Sequence, residues 1–378
     1  MTLVEWVFWA AVLVVIYVYF GYPLTLAALP RAKREREEPK LPLLSIIIAA
    51  FNEEEHIGAS IENKLSLDYP PELQEIIVVS DGSTDRTDEI VRSFDPSRVK
   101  LLRQEARQGK TMALNRAVEV AKGEIIVFSD ANSIYELGAL RRIVEEFRDP
   151  RVGYVTGRLS YQNPGKTIIG DGCGLYMRYE NLVRSLESRV GSVVGVNGGI
   201  DGVRKCLFAP MRADQLPDFI LPLHVMEQGY RISFCAEAIL YEEALKEARD
   251  ELKMRVRVCL RTYHALWEMR HLLRPKYRLA FFQILVHKIF RYLVFILLPI
   301  IFFTNLLLVE RWPYRGIMIC QLIFYSIAIV GALVHKRLKG GVLLSPFYFC
   351  LINFAAGVAF WKFLNGERQV IWTPRKGA

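Results

Sequence analysis

The sequence predicts an α/β protein, a mostly parallel sheet domain carried between membrane-crossing helices. Three observations carry that expectation. Charge-free apolar runs stand near both ends of the 378-residue chain, at Trp6–Pro30, Tyr292–Val309, Gly316–Val334 and Gly341–Trp361. Between them, short runs of Ile, Val and Phe alternate with stretches of helical spacing. Polar residues recur at the points where those short runs stop.

The ends come first, because they set the compartment. A bilayer is crossed by about 20 apolar residues, so residues 1–30 read as one transmembrane helix and 292–364 as about three more. The opening MTLVEW lacks the basic start of a secretory signal, and its apolar run outlasts a signal's hydrophobic core, so the first helix reads as an anchor. Arg31, Lys33, Arg34 and Arg36 follow it directly. Basic flanks stay in the cytoplasm, which predicts an integral membrane protein with its N-terminus outside and its domain, 40–270, cytoplasmic. Residues 275–291 read as an amphipathic interfacial segment. One N-terminal and three C-terminal spans would leave the tail, 365–378, outside, yet Arg368, Arg375 and Lys376 mark it as cytoplasmic. Either one apolar segment is re-entrant or 279–309 bends back.

Charge and cysteine content exclude several classes. The net charge of +9 is concentrated at 31–36, 270–278 and 335–339, beside the apolar runs, where anionic lipid headgroups attract it. No aromatic-and-basic stacking motif accompanies it, so nucleic acid is not an expected partner. The six cysteines form no CxxC pair, which argues against zinc and disulfide frameworks alike.

Within the domain, LLSIIIAAFNEE (43–54), EIIVVSDGSTD (75–85), VKLLRQE and EIIVFSD each read as a buried strand ending in polar residues. Helical stretches follow them: EEHIGASIENKLSL, DRTDEIVRSF with Thr84 or Asp85 as cap, GKTMALNRAVEVAKG, and NSIYELGALRRIVEEF. Alternation of this kind builds a parallel sheet covered on both faces, and ligands bind at the carboxyl ends of its strands. Asn52, Asp81 and Asp130 all fall at those ends. No GxGxxG follows the first strand and no GxxxxGK[ST] occurs, which lowers the dinucleotide and P-loop readings.

AAFNEEEHI, VVSDGSTDRT, KTMALNRA and FSDAN, in that order and spacing, resemble the nucleotide-binding half of glycosyltransferase family 2, an inverting family with the GT-A fold. The likeness spans about 44–270. The flanking helices resemble its membrane-embedded branch of cellulose, chitin and hyaluronan synthases. The resemblance implies a donor site in which Asn52 lines the nucleotide pocket with Glu54 beside it, Asp81 accepts hydrogen bonds from the uracil or ribose, and Lys110 sits near the base or diphosphate. Fixed carboxylates and amides suit a base edge, and a lysine offsets phosphate charge. The alternatives are a capping turn for Asp81 and a solvated helix start for Lys110.

FSDAN departs from the family's usual Asp-x-Asp, whose second acid binds a divalent ion. Asn132 stands in that place. It offers a carbonyl oxygen without charge, so the resemblance implies that Asp130 contacts the donor sugar or ribose and Asn132 takes the metal position weakly, the two making a Mg2+ or Mn2+ site of altered affinity. A lost metal site or a plain strand-end turn are the alternatives.

The acceptor half begins at DPRVGYVTGRLSY, a short strand region. Residues 175–192 have helical spacing, with a charged face expected to be solvated. In VGVNGGIDGVRK the glycines allow backbone to approach a ligand, and the resemblance implies that Asn197, Gly198 and Gly199 lie under the acceptor. Asp218, in LPDFILPLHVMEQGYRI, matches the family's catalytic base, which takes the acceptor hydroxyl's proton in a single displacement. It would equally serve as the N-cap of a 219–228 helix. The family's QxxRW signature is reduced to Met254, Arg257 and Val258 in MRVRV. Arg257 would clamp a diphosphate, while a basic helix beside a membrane is the plain reading of Arg255, Arg257 and Arg261.

The resemblance therefore implies a membrane-bound inverting hexosyltransferase using a nucleotide sugar, with a UDP-sugar the expected donor, and a saccharide or lipid-linked acceptor at the cytoplasmic face. Polysaccharide or cell-envelope glycan synthesis is the expected setting. The degenerate QxxRW favours single addition onto a polyprenyl-linked sugar; the multi-span architecture favours polymer export, and its few spans leave room for a homo-oligomer or an export partner. A non-catalytic membrane scaffold on the same fold is the reading from another class.

Overall fold

The computed structural model describes residues 2–38, 40–162, 168–243, 247–335 and 345–370. The basic tract 336–339, the start of the Gly341–Trp361 run and the tail residues Arg375 and Lys376 lie outside the described residues.

The chain opens with α1 (Leu3–Ile16), capped by the Thr2 hydroxyl, which accepts from the Glu5 N–H, and by the Glu5 carboxylate, which accepts from the Thr2 N–H. A π turn joins it to α2 (Tyr22–Ala28). Together they make a 26-residue apolar helix, about 39 Å long at 1.5 Å per residue, long enough to cross a bilayer.

The sheet follows. Strand β1 (Leu44–Ala50) leads to α3 (Ile57–Leu65), β2 (Gln74–Asp81) to α4 (Thr87–Arg92), and β3 (Val99–Gln104) to α5 (Lys110–Val120). Then come β4 (Ile125–Asp130), β5 (Ile134–Tyr135), α6 (Ala139–Glu146), β6 (Val152–Gln162), α7 (Ile168–Val190), β7 (Asp201–Arg204), α8 (Pro217–Glu227) and β8 (Arg231–Glu243). The eight strands form one sheet in the order β3-β2-β1-β4-β7-β6-β8-β5. Strands β1 to β4 pair in parallel, as the apolar runs predicted, and β7 enters antiparallel beside β4. Ile46, Ile47 and Ile48 are fully buried, each contributing roughly 2 kcal/mol of burial on both faces of a covered sheet.

Register places the site. Ala49 pairs with Asp130, Ala50 with Ser80 and Asp81 with Gln104, so the polar ends of β1, β2 and β4 reach one edge. Because β7 runs the other way, its first residue, Asp201, pairs with Phe128 at that same edge.

Two expectations need correcting. The stretch read as a helix from Asn132 begins instead with β5, because Tyr135 is held on both sides by the Asn63 amide and pairs with β8; α6 starts only at Ala139. The charged face of α7 is not solvated. Glu180, Arg184 and Glu187 are buried, because Arg184 donates to the Gly195 carbonyl at 3.0 Å and Glu187 accepts from the Val194 N–H.

After the sheet come α9 (Ala248–Glu268), then α10 (Arg278–Gln283) and a π segment that meets α11 (Val294–Leu307) at a 58° bend. Helices α12 (Trp312–Val334) and α13 (Ser345–Leu364) complete the chain. Three helices are long and apolar enough to cross a membrane, or four if the bent pair counts as one span. On α9, Arg255 is bound to Glu251 (2.7 Å) and the Tyr348 hydroxyl (2.7 Å) and stacks over Tyr176.

Two compact units result. One is formed from Met1–Leu29, Asn163–Tyr179 and Ala244–Glu367, the other from Pro30–Gln162, Glu180–Glu243 and the chain from Arg368.

Candidate active site

The first three strand ends build a cradle out of their own turn residues. Asn52, at positive φ (53°), accepts from the Thr84 N–H at 2.8 Å through its side-chain oxygen. Glu54 accepts from the Arg86 N–H, and its own N–H donates to Asp85. Asp85 also accepts from the Thr87 N–H, which opens α4. Asp81 is buried, and its two oxygens accept from the Gln108 and Gly109 N–H groups at 2.7 and 2.8 Å. It therefore fixes the loop that starts α5, and Lys110 is the first residue of that helix. Sequence reasoning named Asn52, Glu54 and Asp81; the structure adds that each accepts from a backbone N–H of a neighbouring loop.

Lys110 is the centre of the arrangement. Its ammonium reaches Asp130 at 2.5 Å, with the lysine side chain 14% and the aspartate 32% exposed. Burial alone would push the lysine down, but Asp130 first, then Asp218 and Asp201, hold it above its ordinary value. The solvated-helix reading of Lys110 does not hold. One ammonium thus faces three carboxylates at the carboxyl edge of the sheet.

Asp218 lies in the first turn of α8, whose N-cap is Leu216 and whose first residue is Pro217, so it is not the cap. It faces the glycine pair, Gly198 (φ +67°) and Gly199 (φ +80°). A Cβ on Gly198 would collide with the Asp218 carboxylate; one on Gly199 would press on Ser133 Oγ (3.2 Å) and Asp130 Oδ2 (3.4 Å). The pair therefore fills the gap between the FSDAN turn and Asp218, where only glycine fits. Asn197 donates to the Gly157 carbonyl at 2.6 Å, while its own side-chain oxygen is buried without a partner.

Three groups escaped the sequence. Asp201 is 1% exposed, with the Thr156 and Tyr154 hydroxyls beside its carboxylate. Burial, then repulsion from Asp218, pushes it up to about 7; Thr156, Lys110 and Arg184 offset only part of that. Lys64 is fully buried behind the FSDAN turn, its ammonium bound to the Ser133 carbonyl and the Ser60 hydroxyl. Burial pushes it down to about 7 against Asp130 and Glu242. Tyr135 donates to the Gly199 carbonyl at 2.6 Å and reaches the Phe128 carbonyl at 3.0 Å. A lysine in a helical run reads as solvent-facing, and an aspartate in a glycine tract reads as turn chemistry, so nothing in the local pattern marked either.

Could Asp130 and Asn132 hold a divalent ion? No cluster of three or more His, Cys, Asp or Glu suited to a metal occurs among the described residues. Magnesium and manganese on a sugar diphosphate need only one or two protein oxygens besides the phosphates, and a half-exposed Asp130 with a half-buried Asn132 two residues on supplies that donor set. The residues fit. Arg257 lies on α9 in the other unit, half-buried. A cavity of about 710 Å³ opens at the opposite, amino-terminal edge of the sheet, beside Pro42, Gly123 and Cys206, far along the strands from these carboxylates.

Comparison with known proteins gives a family and a fold. Residues 45–200 match the model of glycosyl transferase family 2. The poly-β-1,6-N-acetyl-D-glucosamine synthase of Staphylococcus epidermidis is 30% identical over 169 residues, 44% of this chain and 40% of that protein. A β-monoglucosyldiacylglycerol synthase of Nostoc is 29% identical over 182 residues, 47% of this chain and 39% of the relative. The matched stretches thus span about 40% of these relatives' lengths. Among solved structures, a mannosyltransferase of Pyrobaculum calidifontis in complex with GDP-Man and Mn2+ superposes with a TM-score of 0.71 at 19% identity, covering 96% of this chain and 99% of that one. That likeness is one of fold, and the fold is GT-A.

Proposed function

Starting from a chain whose residues 45–200 are a glycosyltransferase family 2 domain, we propose that the protein transfers a hexose from a nucleoside diphosphate sugar to a saccharide or lipid-linked acceptor at the membrane surface, with inversion. The observation that carries this reading is the single ammonium of Lys110 set among Asp130, Asp201 and Asp218. With all three acids ionised that edge carries a net charge of about −2, and a sugar diphosphate adds about as much again, so binding calls for added positive charge. A divalent ion held by Asp130 and Asn132 would supply it and neutralise the leaving diphosphate. Asp218, against the glycine pair, takes the proton of the acceptor hydroxyl as that oxygen attacks the anomeric carbon from the face opposite the diphosphate. The cradle of Asn52, Glu54 and Asp81 orients the nucleotide.

The test is release of nucleoside diphosphate from a panel of nucleotide sugars by wild type and Asp218→Asn, with and without Mn2+. The expected outcome is metal-dependent release with acceptor present, reduced about 10²–10⁴-fold by the substitution. No release from any donor, with membrane extract as acceptor source, would sink the reading in favour of the scaffold.

The same reading includes a topology. Glu5 at the outer end of α1 pairs with Arg311 and Tyr314, which supports putting the α11–α12 junction on the N-terminal side of the membrane. Arg368 pairs with Asp214 of the sheet unit at 2.5 Å, which supports a tail on the domain side. Both hold if the bent pair and α12 cross while α13 does not. In keeping with that, α13 runs along α9, with Tyr348 beside Glu251 and Phe363 beside His264. A helix carrying Lys253, Arg255, Arg257 and Arg261 does not sit in hydrocarbon. A membrane-impermeant thiol reagent should label a cysteine placed at Glu310 from outside and one placed at Glu367 only after permeabilisation; the reverse pattern refutes this topology.

A further inference from the structure

We propose that Lys64, Ser133 and Tyr135 form a strut that fixes the separation between the donor-side turn and the glycine pair against Asp218, making Tyr135 a positioning residue for transfer to the acceptor. The inference rests on the function proposed above.

The geometry runs as one chain of contacts. The Lys64 ammonium binds the Ser133 carbonyl, so it holds the residue immediately after Asn132. The same ammonium lies 4.1 Å from the centre of the Tyr135 ring. Asn63, next to Lys64, closes both backbone groups of Tyr135, donating to its carbonyl (2.9 Å) and accepting from its N–H (2.8 Å). Ser133 donates to Glu242 at 3.2 Å. The far end of the tyrosine then crosses to the other half: its hydroxyl donates to Gly199 at 2.6 Å. Gly199 in turn lies against Ser133 Oγ and Asp130, and Gly198 against Asp218.

Two features make this more than packing. A buried lysine is costly unless its charge is used, and here it grips a backbone carbonyl beside the donor carboxylate. A buried tyrosine hydroxyl is likewise used on the glycine turn facing the base, tying the short strand after the FSDAN turn to the glycine pair. Transfer needs the acceptor oxygen and the anomeric carbon held within a narrow range, and a misplacement of about 1 Å costs on the order of 10²-fold. Loss of the donor sugar to water needs the donor alone. The strut should therefore govern the first and not the second.

Full-length Tyr135→Phe in detergent or nanodiscs, which removes one oxygen and keeps the ring, tests this. Transfer to acceptor and hydrolysis of the same nucleotide sugar are measured side by side, with the melting temperature. The expected result is transfer kcat about tenfold lower, with hydrolysis and donor KM within about twofold. Lys64→Met, where it folds, should shift the same ratio in the same direction. Transfer and hydrolysis both unchanged, or both lowered in step with the melting temperature, would overturn the strut while leaving the transferase standing. A wild type inactive on every donor would remove the transferase itself, and the strut with it.

Discussion

The named site residues of the two halves of the sheet are held in different ways. In the parallel half, Asn52, Glu54 and Asp81 are hydrogen-bonded to neighbouring backbone N–H groups. In the antiparallel half, Asp201 is buried against the charge of Asp218, and the Asn197 oxygen is buried without a partner. The first half is a closed cradle whose motif residues hold the loops in shape. The second buries a carboxyl group, Asp201, beside the proposed base. Lys110 stands where the halves meet: it starts a helix of the parallel half and is held by acids of both. The difference teaches that the motif residues of the first half hold loops in shape, while the motif residues Lys110, Asp130 and Asp218 share their charge with Asp201, which no motif named.

The strongest way to break this comparison is Lys110→Met. It leaves three carboxylates without their cation, and removing one partner of a buried pair costs about 3–5 kcal/mol. Donor kcat/KM should fall by about 10²–10³-fold. Asn52→Ala, which removes the exposed side-chain contacts to Thr84, should cost only about 1 kcal/mol, near fivefold. Steady-state kinetics on both variants decides it: equal losses would mean that the halves do not differ in kind.

Asp201 sharpens the contrast through pH. In the fold it holds its proton up to about 7, against 3.8 for the ordinary group. Below about 3.8 both the folded and the unfolded chain keep that proton, and the residue's contribution to stability is fully present. As pH rises toward 7 the unfolded chain releases it while the fold retains it, so stability falls, by on the order of a few kcal/mol once pH has passed 7. Asp201→Asn has no proton to lose. Its melting temperature should therefore fall less than that of wild type between pH 5 and 8, with the variant the more stable at pH 8. Parallel curves would show that Asp201 is already ionised and paired. Lys64, depressed to about 7, acts in the opposite sense above that pH, which is why the comparison is made against the variant.

How much of this the sequence carried follows from the same physics. Strands β1, β2 and β4 are covered on both faces, so they read as unbroken Ile and Val runs, and their ends fell where the turn residues said. β5 is two residues long and paired to β8 more than a hundred residues away, so the helical spacing of NSIYELGALRRIVEEF outweighed it. The buried Glu187 and Arg184 of α7 are satisfied by Val194 and Gly195, groups that come close only after the chain turns back. Asp218, Lys110 and Asp130 were named from the sequence. That they share one field with Asp201 depends on β7 entering antiparallel, which no local pattern encodes.

The smallest expected effect concerns Asn132, where the sequence departs from two acids. Asn132→Asp adds a carboxylate to an edge already short of positive charge. Without a metal that addition is unfavourable, because the new acid lies near Asp130 and Lys110 is already engaged. With Mn2+ bound it supplies a charged ligand in place of a carbonyl oxygen, and ligand charge is one of the levers that set affinity at oxygen sites. Mn2+ should bind about five- to tenfold more tightly to the variant in a titration read by the metal's own magnetic signal, while the melting temperature without metal drops slightly. Transfer at saturating metal should change little, because the ion's charge on the diphosphate is the same in both. Unchanged Mn2+ affinity would place the metal away from residue 132 and leave Asp130 as its sole ligand from this turn.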